Sequence, residues 1–186
     1  MTQHEPMNIA GSEGADAGCA GPAPSVRSQA FRLGAMGVLA LCWIALDQAV
    51  KFGMNAHVAG SVLFDPIAGL FSLHLVHNTG GAWSMFSGAT AALGVFSIVM
   101  CAALAAFAVY ERARISWPEL IGLGLVIGGG IGNAIDRFAL GYVVDFIDLA
   151  FIDFPVFNIA DIGVTCGLAL FLIAWIVRES QHKEVR

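Results

Sequence analysis

The chain has 186 residues, of which 58% are hydrophobic and only 12% charged, and its mean hydropathy is +0.76. Soluble domains carry about 25% charged residues, so this composition excludes an ordinary soluble protein and predicts a membrane protein. The net charge of -5 is small and scattered, which argues against nucleic acid as a partner.

The first 31 residues differ in composition from the rest of the chain. They are rich in Gly, Ala, Ser, Pro and acidic residues and show no hydrophobic periodicity. Such a segment buries too little apolar surface to offset the entropy lost on ordering. We therefore predict a disordered cytoplasmic tail over 1–31, a membrane domain over 32–178 and a cytoplasmic C-terminal tail over 179–186.

Four apolar stretches follow the tail, at about 33–54, 88–110, 118–138 and 157–177. As helices rising about 1.5 Å per residue, each would cross the roughly 30 Å hydrocarbon core of a bilayer. Seven of the nine basic residues precede the first stretch, join the second to the third or follow the fourth: Arg27, Arg32, Arg112, Arg114, Arg178, Lys183 and Arg186. The positive-inside rule then places both termini in the cytoplasm. The predicted fold class is an all-α polytopic membrane protein with four transmembrane helices.

Two longer connections, 55–87 and 139–156, fall on the extracytoplasmic side in this topology. In the first, FSLHLVH (71–77) alternates apolar and polar residues and ends in the turn signal NTGG, which predicts a strand in a small β-element. This strand is a candidate for edge pairing with a bound peptide. The second connection alternates aromatic and aliphatic residues with three aspartates, and we predict an interfacial segment.

Five ionisable residues from three predicted spans fall at one depth. Asp47 and Lys51 in the first span, Asp136 and Arg137 in the third and Asp161 in the fourth all lie near the outer ends. Ionisable groups in spans usually face a protein interior or water, and they mark function. The plainer alternatives are that Asp161 is merely hydrated at the surface and that Asp47 and Lys51, four residues apart on a helix, form a structural ion pair. The shared depth favours a site.

Several kinds of site chemistry find no support in the sequence. G-x-S-x-G and H-E-x-x-H are both missing, although His74 and His77 in the predicted strand could be metal ligands. Cys42, Cys101 and Cys166 lie in apolar stretches without metal-ligand spacing, so we predict that they are small buried hydrophobes.

Carboxylates at the outer surface are the chemistry that remains. Two carboxyls held about 3 Å apart cannot both ionise, so one can activate a water while the other donates to a carbonyl oxygen. This is the chemistry of aspartic proteases, and its candidates here are Asp136, Asp145, Asp148, Asp153 and Asp161. Position in a helix favours Asp161, and an asparagine three residues before both Asp136 and Asp161 repeats one pattern, but the residues alone leave the partner open.

Two other classes compete with a protease. A proton-coupled membrane transporter would also use intramembrane carboxylates, and a structural membrane subunit would use the small residues of GGGIGN (128–133) for helix packing. A transporter needs a relay across the bilayer, whereas the charges here cluster at one depth. A structural subunit leaves that clustering unexplained.

Four segments carry a family resemblance: LDQAVKFG (46–53), HNTGGAWSMF (77–86), GGGIGNAIDRFALGYVVDFID (128–148) and FPVFNIADIG (154–163). In this order and on four spans, they resemble the lipoprotein signal peptidase family, or signal peptidase II. These are membrane aspartyl proteases that remove signal peptides from bacterial prolipoproteins. The chain departs from the family pattern at Val50, Gly81 and Trp83, which affects local packing and substrate preference.

The resemblance implies a catalytic dyad formed by Asp145 and Asp161. It also implies seven supporting or substrate-binding residues, Asp47, Lys51, Asn78, Asn133, Asp136, Arg137 and Asn158. The implied substrates are prolipoproteins that carry a diacylglyceryl group on the cysteine after the cleaved bond. The family further implies inhibition by globomycin, membrane lipid as a partner, and no metal or organic cofactor. The expected location is the bacterial cytoplasmic (inner) membrane, with the site near its extracytoplasmic face.

Overall fold

The computed structural model describes residues 25–67, 70–81 and 85–184. In these ranges, four helices are long and apolar enough to cross a membrane: α1 (Val26–Met54), α2 (Thr90–Tyr110), α3 (Trp117–Ala139) and α4 (Ile159–Glu184). They confirm the predicted four-span fold class.

Two of the helices are longer than predicted. Residues 26–31 belong to α1 and residues 179–184 to α4, although both ranges were assigned to tails. Polar residues can extend a helix beyond the bilayer, and hydropathy detects only the apolar part. At the start of α1, the Ser25 side chain accepts a hydrogen bond from the Ser28 backbone N–H at 3.3 Å. Residues 1–24, the rest of the predicted tail, lie outside the described residues.

Helix α3 lies at the centre of the bundle and packs against α1, α2 and α4. It begins at a capping box, in which Ser116 and Glu119 bond to each other's backbone N–H groups. Glycines allow α3 and α4 to approach closely: a Cβ built on Gly122 or on Gly167 would lie 2.6 Å from the carbonyl oxygen of the other. This packing brings the end of α3 beside the start of α4.

A three-stranded antiparallel sheet lies outside the helices, with the order β1 (Val62–Ile67), β2 (Phe71–Asn78) and β3 (Val143–Asp148). The strand predicted at 71–77 is confirmed as β2. The sequence did not predict β1, nor β3, which lies in the connection predicted to be interfacial. Because β2 is the central strand, both of its edges are paired, and the hypothesis of edge pairing between β2 and a peptide is wrong.

The sheet packs on the helix ends. Leu75, Val144 and Phe146 form its buried apolar face and contact Val50 and Met54 in the last turns of α1. Val50, one of the departures from the family pattern, therefore contributes to this packing, while Trp83 lies outside the described residues. The sheet thus occupies the end of the bundle where α1 and α3 finish and α4 begins.

The cysteines correct one prediction. Cys101 is buried, but Cys42 and Cys166 are exposed on α1 and α4. Lipid tails are as apolar as a protein core, so an apolar residue in a spanning helix does not have to be covered by protein.

Candidate active site

Two aspartates line one cavity of about 420 Å³ at the sheet end of the bundle. Asp145 lies on β3 and is 2% exposed, whereas Asp161 lies in the first turn of α4. Asn78, Asn133 and Arg137 line the same cavity. Residues that the sequence analysis assigned to two helices and to the two outer connections therefore meet at one place.

The start of α4 orients one of these carboxylates. The Asn158 backbone N–H donates to Asp161 Oδ2 at 3.1 Å, and the Asp161 backbone N–H donates to Asn158 Oδ1 at 3.0 Å. These reciprocal bonds are those of a capping box. Because α4 begins at Ile159, Asn158 precedes the helix and caps it. The cap holds the Asp161 carboxylate in one orientation.

Amide groups hold both carboxylates. Asn158 Nδ2 donates to Asp145 Oδ1 at 2.7 Å, and Asn78 Nδ2 donates to Asp145 Oδ2 at 2.9 Å. Asn133 Nδ2 donates to Asp161 Oδ1 at 2.8 Å. With the cap bond, each of the four carboxyl oxygens accepts a hydrogen bond, so neither carboxyl can rotate without losing a partner.

The environment favours the neutral form of Asp145. Burial, and then the negative charge of Asp161, raise the pKa of Asp145 to about 7, although the bonds from Asn78 and Asn158 and the charge of Lys51 oppose the rise. Asp145 and Asp161 can therefore share one proton near neutral pH. A protonated carboxyl beside an ionised one is the arrangement that general acid-base chemistry requires.

A buried ammonium group lies directly behind the pair. Lys51 Nζ is 2.9 Å from Asp47 Oδ2 and 3.0 Å from Asp136 Oδ2, and it donates to Asn133 Oδ1 at 2.8 Å. An ammonium has three hydrogens, and three acceptors surround this one. Asn133 in turn contacts Asp161, so Lys51 holds the amide that holds the carboxylate.

The two carboxylates around Lys51 also bind backbone. Asp47 Oδ1 accepts a bond from the Ala160 N–H at 2.9 Å, and Asp136 Oδ2 accepts one from the Val144 N–H at 3.1 Å. Ala160 immediately precedes Asp161, and Val144 immediately precedes Asp145. The ion network therefore fixes the two segments that carry the candidate pair.

Gln48, which was not among the predicted site residues, joins this network. Its Nε2 donates to Asp136 Oδ1 at 2.9 Å and to the Gly132 carbonyl at 3.2 Å. The available signal was its position between Asp47 and Lys51, in the only polar cluster of the first span.

Arg137 presents a guanidinium to the cavity. Its Nη2 donates to the Gly80 carbonyl at 3.3 Å and its Nη1 to the Asn133 carbonyl at 3.4 Å. Its buried Nε has no hydrogen-bond partner among the described residues. These contacts tie the end of α3 to the turn after β2.

The other candidate carboxylates lie elsewhere. Asp136 contacts Lys51, and Asp153 lines a second cavity. The Oδ2 of Asp148 lies 3.6 Å from Nδ1 of His74. Of the five candidate aspartates, Asp145 and Asp161 are the two that line the 420 Å³ cavity. His77, one of the two candidate metal ligands, also has other partners. Its Nε2 lies 2.9 Å from Asn55 Oδ1, and its ring stacks on Tyr142.

The cavity opens sideways onto a spanning helix. Ile162, Thr165 and Cys166 of α4 line it, and the last two are exposed. They lie within the first two turns of the span, roughly 9–11 Å from its start. A bilayer around α4 would therefore meet the cavity directly.

Comparisons with known proteins identify the family of the chain. The family model of signal peptidase (SPase) II matches residues 39–177. The lipoprotein signal peptidase of Gloeobacter violaceus is 41% identical over 142 residues, covering 76% of this chain and 82% of the relative. The lipoprotein signal peptidase of Lactiplantibacillus plantarum is 34% identical over 148 residues, covering 79% of this chain and 97% of the relative. A bacterial membrane enzyme solved by the in meso method at 2.3 Å resolution matches with a TM-score of 0.71 at 30% identity, covering 80% of this chain and 91% of that one. The chain therefore belongs to the signal peptidase II family of membrane aspartic peptidases.

Proposed function

We propose that Asp145 and Asp161 are the catalytic pair with which this peptidase removes signal peptides from prolipoproteins. The bond cleaved precedes a cysteine that carries a diacylglyceryl group. The observation that carries the proposal is the meeting of two carboxylates in one cavity, each held by two hydrogen bonds.

The pair would act as general base and general acid. The ionised carboxylate takes a proton from a water, whose oxygen attacks the scissile carbonyl carbon, and the protonated carboxyl donates a hydrogen bond to the carbonyl oxygen. When the tetrahedral intermediate collapses, the C–N bond breaks and a proton passes to the leaving nitrogen. The amides of Asn78, Asn133 and Asn158 keep both carboxyls in position through these steps.

The lateral opening suits a substrate that lies in the membrane. Because the cavity reaches the exposed surface of α4 at Thr165 and Cys166, the lipid group and the apolar signal segment can enter without crossing water. Globomycin would inhibit by occupying this cavity in place of the substrate.

Charge supports an orientation in the bacterial inner membrane. Arg112 and Arg114 lie in the turn between α2 and α3, at the end of the bundle opposite the sheet, where Arg178 also lies. By the positive-inside rule this end, with both termini, faces the cytoplasm. The sheet and the candidate site then face the extracytoplasmic side.

The central helix argues against a proton-coupled transporter. Between Glu119 and Asn133, α3 contains only Gly, Leu, Ile and Val. These residues cannot pass a proton along the helix that contacts all the others.

The test is cleavage of a diacylglyceryl-modified prolipoprotein by the purified protein. Asp145→Asn and Asp161→Asn should each lower kcat by about 10²–10⁴-fold or more, because each removes one partner of the acid-base pair. Asp148→Asn, on the same strand but outside the cavity, is the matched control and should leave kcat unchanged. Full activity in either variant, with unfolding like that of wild type, would refute the assignment.

A further inference from the structure

A second cavity of about 250 Å³ adjoins the first, and both are lined by Asn78, Gly81, Asp145 and residues 154–156. It lies between the end of β2 and the segment 153–156, and its lining includes His77, Thr79 and Asp153. None of its lining residues belongs to α1, α2, α3 or α4. The first cavity opens onto a spanning helix, whereas the second lies wholly outside the spans, on the side of the sheet.

The two cavities differ in charge. Arg137 lines the first, but no lysine or arginine is among the residues found to line the second. Two carboxylates, those of Asp145 and Asp153, line the second. The Nε2 of His77 is already engaged with Asn55. Because Asp145 belongs to the candidate pair, Asp153 is the carboxylate left to select a ligand there, and it is exposed.

The parts of a prolipoprotein substrate differ in polarity. Its signal segment and its diacylglyceryl group are apolar, whereas the polypeptide that follows the lipidated cysteine is polar. The apolar parts suit the cavity that opens to lipid, and the polar part must leave the scissile bond toward water. The second cavity shares Asp145 with the first, and its described lining residues all lie outside the spans, so it offers that path.

We propose that the second cavity is a subsite for the residues that directly follow the lipidated cysteine, and that Asp153 makes it selective for lysine or arginine. This inference rests on the proposed function, because it assigns a part of the same substrate. Exposed opposite charges attract modestly, by an amount that corresponds to roughly a 1.5- to 5-fold preference, and salt weakens the attraction.

The experiment uses lipid-modified substrates that differ only at the first and second residues after the cysteine, where they carry Lys, Gln or Glu. For wild type at low salt, kcat/KM for the Lys substrate should exceed that for the Glu substrate by about two- to fivefold. High salt should reduce this ratio. Asp153→Asn should bring the ratio close to one, and Asp153→Lys should invert it.

Asp148→Asn is the matched control. It changes the net charge by the same amount at a carboxylate that lines neither cavity, and it should keep the wild-type ratio. Equal cleavage of all substrates by wild type, or an unchanged Lys preference in Asp153→Asn, would overturn the subsite and leave the proposed function intact. If wild type cleaved none of the substrates, the proposed function would fail, and the subsite with it.

Discussion

Replacing Lys51 by methionine tests the ion network behind the candidate pair. Lys51 is 2% exposed and lies within 3.0 Å of the carboxylates of Asp47 and Asp136, both buried. Methionine fills much of the same volume but leaves two buried carboxylates without their cation. Removing one partner of a buried ion pair costs about 3–5 kcal/mol. For a chain of this size, that loss lowers the midpoint of thermal unfolding by roughly 6–20 °C.

The assay is thermal unfolding of the purified protein in detergent, followed by cleavage of a lipid-modified prolipoprotein below the midpoint. Activity should also fall, because Asn133 loses its bond to Lys51 and is one of the two residues that bond to the Asp161 carboxylate. The control is Lys183→Met, at an exposed lysine near the end of α4, which should shift the midpoint by no more than about 2 °C. A Lys51→Met midpoint indistinguishable from that of the control would refute this account of the network.

Three further predictions follow from other contacts. Because the pKa of Asp145 is raised to about 7, the pair loses its shared proton as the pH rises through 7, so kcat/KM, which reports the free enzyme, should decline toward higher pH. A kcat/KM that stays flat from pH 6 to 9 would contradict the shared proton. Gly132→Ala should destabilise the fold by about 1–3 kcal/mol, since its Cβ would lie 2.6 Å from Asp47 Oδ2, whereas Gly34→Ala, with nothing within 4 Å, should be neutral or stabilising in unfolding experiments. Arg178→Met should lower the unfolding midpoint, because it removes the partner that lies 3.0 Å from the buried Glu119 carboxylate. It should preserve kcat at low temperature, because Glu119 lies roughly 21 Å along α3 from Asn133. A midpoint like that of the control Arg112→Met would show that the pair contributes nothing.

The spans and the central strand follow from local properties of the chain. A run of about 20 apolar residues spans a bilayer whatever its neighbours are, and alternation over 71–77 gives a strand one face for packing and one for water. The depth of the ionisable residues is also available from the sequence, because it depends only on where each span begins and on the basic residues between them. These features locate a site at one end of the bundle.

Contacts between distant residues decide what that site contains. Asp145 becomes the neighbour of Asp161 because β3 pairs at Ile147 with Phe157, just before α4, and because Asn158 bonds to both carboxylates. Gln48 shows no function until α1 packs against α3, where it reaches the Asp136 carboxylate. A composition or a spacing does not encode such distances.

The amino-acid sequence is therefore enough to show that the chain spans a membrane four times and that five ionisable residues of the spans lie near one surface, since hydropathy and charge belong to individual segments. The family resemblance nominated Asp145 and Asp161. Only the tertiary structure decided how they are held: Asn158 as a helix cap, Lys51 behind Asn133, and the Ala160 N–H bonded to Asp47, 113 positions earlier in the chain. The reason is that hydrogen bonds act over about 3 Å, and only folding brings such separated groups that close.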